Sequence, residues 1–129
     1  MLQFLSEEII MIKKAFFMRH LNDHIQYLKK IDAAIKGEID FEGTTHHECK
    51  LGQWLYNEGP VEMVSMSNSK ARVVFDSLLE PHQRFHELGQ QAMEKKRAGD
   101  DSSAKMLLTE LHVLSTKITH ILLELDGMN

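Results

Sequence analysis

Cysteine, proline and tryptophan are what this chain has least of: one Cys, two Pro and one Trp in 129 residues. A lone Cys49 excludes any disulfide within the chain. With no signal-peptide pattern at the start, the expected compartment is the reducing cytosol, where such a thiol stays free or binds a metal. The scarcity of proline leaves room for long helices. No block of five or six like charges occurs, and a formal net charge of −4 gives no electrostatic footprint for nucleic acid, which is not expected as a partner. Glu7, Glu8, Lys13 and Lys14 interrupt the apolar stretch between Met1 and Met18, so membrane insertion is not expected either. In excess stand eight histidines and eight methionines. A chain of this length buries roughly two thirds of its unfolded surface, and residues 1–129 are expected to form one domain.

Helical spacing dominates the rest. Phe17, Leu21, His24, Leu28, Ile31 and Ile35 form one stripe, stopped by Gly37. A second stripe, Leu5, Ile9, Ile12 and Phe16, is more apolar surface than one packing partner covers, and predicts a homodimer. After a loop, Thr45 and Glu48 stand as a capping box that starts a short helix with Cys49 in its first turn. Gly59 and Pro60 are expected to end it, and 61–69 to connect, with at most one further helical turn. Ala71, Phe75, Leu78, His82, Gly89 and Met93 line a third helix, which Pro81 should kink or deprive of one hydrogen bond. Ala104, Leu107, Leu111, Leu114, Ile118, Ile121 and Leu125 line a fourth, begun near Asp100 or Asp101 and ended by Gly127. The expected fold is all-α, a four-helix bundle with an additional short helix carrying the cysteine.

His82 and His86, four apart, project from one face of a helix and can reach a single metal. Cys49 at a helix start offers a thiolate favoured by the helix dipole, a strong zinc donor. His24 occupies a position where its apolar stripe calls for leucine. Together the four make a tetrahedral His₃Cys set for Zn²⁺ with no open position for substrate. The plain alternatives are a buried structural thiol and core histidines. No His-Glu-x-x-His motif supports a zinc hydrolase, and no histidine has a glutamate three residues before it, as a di-iron bundle requires. An enzyme is not expected.

His24-Ile25-Gln26-Tyr27, Cys49-Lys50-Leu51-Gly52-Gln53-Trp54 and Pro81-His82-Gln83-Arg84-Phe85-His86 resemble, in order and interval, the motif of the chemoreceptor zinc-binding domain family. The likeness extends from about Phe16 to Leu125. It implies a helical bundle, usually homodimeric, that binds zinc and sits beside a chemoreceptor or diguanylate cyclase, whose output changes with zinc or with oxidation of the zinc-bound cysteine. The early placement of the motif is similar to the cyclase-linked branch. The remaining candidates read as follows. His20 lies off the stripe and is expected to face solvent or a dimer partner. His46 and His47 read as metal-access groups or a solvated loop end, and His112 and His120 as exposed. Trp54 is expected to pack over the site and the core. Gly52 either permits a close approach or merely tolerates it. A helical interaction protein with zinc as a structural staple is the alternative function.

Overall fold

The computed structural model describes residues 2–129, with side chains from Phe16 onward. Six helices follow in order: α1 (Leu2–Ile35), α2 (Lys50–Leu55), α3 (Glu58–Ser65), α4 (Ala71–Asp76), α5 (Leu79–Arg97) and α6 (Asp101–Met128). No strand occurs among the described residues, and the fold is all-α. The long helix α6 packs against both α5 and α1, α4 lies on α6, and α2 is seated on α1. This arrangement is consistent with the expected bundle, with the cysteine-bearing helix as an added short piece.

The helix ends have local causes. Gly37 has φ 78°, and the amides of Gly37 and Glu38 bond back to the carbonyls of Ala34 and Ala33. Gly99, at φ 79°, closes α5 the same way through Lys96 and Lys95. A glycine in the left-handed region is what this terminating motif needs. Asp100 then caps α6, its carboxylate accepting from the Ser103 amide at 3.1 Å.

Three expectations about breaks are corrected. Gly59 and Pro60 do not end α2; they stand in the first turn of α3, where proline's missing N–H costs nothing. Gly59 is there for space: a Cβ would lie 2.8 Å from both the Phe75 ring and the Trp54 carbonyl oxygen. The third helix is not kinked at Pro81 but divided into α4 and α5, so Pro81 falls in the first turn of α5. Gly127 does not stop α6, which runs on to Met128.

The core draws Phe17, Leu21, Ile31 and Ile35 from α1, Leu51, Trp54 and Leu55 from α2, and a row from Leu111 to Leu125 on α6. Each such side chain contributes about 1.5–3 kcal/mol on burial. Of the second stripe on α1, Leu5, Ile9 and Ile12 lie outside the described side chains. Phe16 is half-buried and packs within its own chain, its ring centroid 4.0 Å from that of His20 and 5.7 Å from that of Trp54.

Candidate metal centre

Two elements meet at the start of α2, the turn that carries Cys49 and the helix α5. Cys49 is its N-cap, one residue earlier than expected: the sulfur accepts the Gly52 amide at 3.2 Å, and Lys50 is the first helical residue. The expected capping box does not start α2: the Thr45 amide donates to the Glu48 carboxylate at 3.0 Å, but within the turn that precedes the helix, and Cys49 takes the cap. Gly52 proves obligatory, since a Cβ there would overlap the His46 carbonyl oxygen and press on the Cys49 sulfur at 3.3 Å. From α5, His82 and His86 face the cysteine. His82 Nε2 and Cys49 Sγ share a hydrogen bond of 3.2 Å. Ligand atoms of Cys49, His82 and His86 all lie within 4.8 Å of one another.

His86 is oriented by backbone. Its Nδ1–H donates to the Thr44 carbonyl at 2.9 Å, so Nε2 carries the free lone pair. Thr44 is in turn fixed by α1, its amide donating to the Tyr27 hydroxyl at 2.8 Å. The aromatic three residues after His24 therefore anchors the loop that aims His86. Nothing in the sequence marks a backbone carbonyl for that task; the signal available was Tyr27 itself.

His24 is buried on α1 but stands outside the three-membered group. Its Nε2 shares a 2.9 Å hydrogen bond with Ser115 Oγ of α6, and its ring packs edge-on against Phe85. With Tyr27, Thr44, Cys49 and His86 it lines a cavity of about 340 Å³ that also meets Asp23 and Glu48. Ser115 was legible in principle. It continues the spacing of Leu111, Ile118, Leu122 and Leu125, whereas the expected stripe ran through Leu114, which is only half-buried.

Burial sets the protonation of the site. Removal from water lowers His24 and His86 to about 4 and His82 to about 2, helped by repulsion between neighbouring imidazoles. They are neutral at pH 7, the form that binds a metal. The Cys49 thiol moves the other way: burial raises its pKa more than the Gly52 amide lowers it. The expected dipole-stabilised thiolate is thus corrected, because burial outweighs the amides of Gly52, Leu51 and Cys49 and the thiol keeps its proton. The donor set fits zinc: one soft sulfur and neutral imidazoles, with His82 Nδ1 buried and without a hydrogen-bond partner.

Other histidines are placed differently from expectation. His20 is not solvent-facing but buried, stacked on Trp54 with centroids 4.2 Å apart, and held near pKa 4 by burial first and Arg19 second. One apolar stripe was too narrow a description of α1, which buries residues 20 and 21 alike. Trp54 joins the core beside Phe16, Phe17 and Phe75, and its Nε1–H donates to Glu62 at 2.9 Å. These neighbours belong to the core, not to the Cys/His group. His46 and His47 form a partly exposed cluster with Tyr56. His112 and His120 are exposed as expected, His112 paired with Asp32 at 2.9 Å.

An all-α scaffold that gathers a thiol and two neutral imidazoles from separate elements defines a helical domain with a candidate metal centre. The model of the chemoreceptor zinc-binding domain matches residues 24–93, from His24 to Met93, and the chain belongs to that family. The match is shorter than the expected Phe16 to Leu125 and ends before α6. No curated protein matches the chain, and no solved structure does.

Proposed function

We propose that the chain is a regulatory zinc module in which Cys49, His82, His86 and His24 hold one Zn²⁺. The observation that carries this reading is the convergence of the Cys49, His82 and His86 ligand atoms within 4.8 Å in a member of a zinc-binding family. Bound zinc would supply the positive charge that keeps Cys49 as thiolate. Thr44 and Tyr27 hold His86 in the ligating tautomer, and the buried walls keep all three histidines neutral. The remainder of the proposal is a single domain over 1–129, a homodimer, a signalling output domain or protein as partner, and a cytoplasmic setting. No described helix is long and apolar enough to cross a membrane.

Elemental analysis of protein purified without a histidine tag is expected to give about one zinc per chain. Cys49→Ala, His82→Ala and His86→Ala are each expected to weaken binding by more than about tenfold. Metal-free wild type, or variants that bind as tightly as wild type, would end the reading.

Regulation is assigned to the same cysteine. Peroxide transfers one oxygen atom to the Cys49 thiolate, giving sulfenate and water, and one of four bonds weakens. The packing of Leu51, Trp54 and Leu55 then remains to seat α2 on the bundle. Chelator and oxidant are therefore expected to raise hydrogen exchange alike across 45–57, with α5 and α6 still protected. Exchange across the entire bundle would favour the structural-staple reading instead.

A further inference from the structure

The buried face of α6 is apolar except at one place. Ala104, Leu111, Ile118, Ile121, Leu122 and Leu125 surround Ser115, which is 6 % exposed. A hydroxyl buried without a partner costs about 1–3 kcal/mol, so its presence among aliphatic side chains calls for a bond that offsets it. The other hydroxyls that bond within α6 do so locally: Thr109 donates to the Lys105 carbonyl and Thr116 to the His112 carbonyl, each four residues back. Ser115 instead crosses to α1 and meets His24 Nε2 at 2.9 Å, within the buried interior.

That bond bears on ligation. The ligand atoms of Cys49, His82 and His86 gather without His24, so a fourth bond depends on where the His24 ring is held and which nitrogen keeps its proton. Imidazoles that bind a metal use one nitrogen and donate the other N–H to a fixed acceptor, and loss of such an acceptor typically costs 10- to 100-fold in affinity. Thr44 does this for His86.

We propose that Ser115 is a positioning residue of the metal centre: its oxygen accepts the His24 Nε2–H, leaves Nδ1 to bind zinc, and ties the site to α6. The proposal rests on His24 being the fourth ligand. It extends the site beyond the stretch matched by the family, which ends at residue 93. It also connects α6, the helix packed on both α1 and α5, to the metal centre through His24.

The test uses the full chain, with zinc affinity measured by competition against a chromogenic chelator. Ser115→Ala keeps the helix and removes the acceptor; it is expected to bind zinc about 10- to 100-fold more weakly, with the metal-free protein still folded and its melting curve shifted only by the loss of one buried hydrogen bond. In a His24→Ala background the same substitution is expected to change nothing further, because Ser115 acts only through His24. Nitrogen-15 shifts of zinc-free protein should show His24 as the Nε2–H tautomer in wild type and a mixture in Ser115→Ala. Equal or tighter binding by Ser115→Ala, or an equal loss in both backgrounds, would overturn the proposal alone. A wild type with no zinc affinity would overturn the functional reading, and this proposal with it.

Discussion

Zinc-free protein is expected to unfold as the pH falls from 6.5 toward 4. Four buried histidines carry the effect: His20, His24 and His86, held near pKa 4, and His82, held near 2. Well above pH 6.5 these imidazoles are neutral in both folded and unfolded chains, and pH has no leverage through them. Below 6.5 the unfolded chain takes up protons that the folded chain refuses, so stability drops steadily to pH 4, and for His82 down to pH 2. Each group costs about 3 kcal/mol by pH 4. Repulsion among the four is part of two of the shifts, those of His24 and His82, so the four do not add in full, yet two suffice to approach the ~5–15 kcal/mol that holds a domain together. Far-UV circular dichroism against pH decides it. Full helicity retained at pH 4, with native urea resistance, would mean that the histidines open to solvent far more readily than their packing indicates.

Gly52→Ala is expected to damage both fold and site. The new Cβ would overlap the His46 carbonyl oxygen and crowd the Cys49 sulfur. The turn before α2 must shift to make room, and that turn sets the position of the N-cap cysteine. Overpacking of this kind costs about 1–3 kcal/mol, and zinc affinity is expected to fall at least tenfold as Cys49 leaves the face of His82. Gly89→Ala is the control. Its Cβ would meet only Ile31 Cδ1 at 3.9 Å, an ordinary contact, so in mid-helix it should stabilise by about 0.5–1 kcal/mol. Urea melts of the two variants should move in opposite directions. A stable, zinc-competent Gly52→Ala would show that the turn yields without effort.

These two glycines illustrate what the sequence could and could not disclose. Helix class and outer boundaries were legible because they follow from periodicity and from end signals such as Gly37 and Asp100, which act within a few residues. Cys49, His82 and His86 were legible as a set because their spacing and chemistry point the same way. Illegible were features decided by a neighbour far along the chain: that Gly59 must avoid Phe75, that the Thr44 carbonyl receives His86, that His20 lies under Trp54. Pro81 was misplaced for a related reason. A proline inside a periodic pattern fits a kink or a restart equally well, and only the short α4 shows which one occurs.

The bond between His24 and Ser115 closes a loop of 91 residues, and that between Cys49 and His82 one of 33. Closing such loops costs entropy that grows with their length, so contacts of this span form late in folding, after the local helical turns. A zinc ion meeting the unfolded chain would find His82 and His86 as a two-toothed chelate on one nascent turn, with His20 and His24, also four apart, as a competing pair. The rest of its coordination becomes available when α1, α5 and α6 have already docked around their aliphatic core. On the proposed ligation the metal would therefore be the last component to arrive on the folding pathway and the first able to depart.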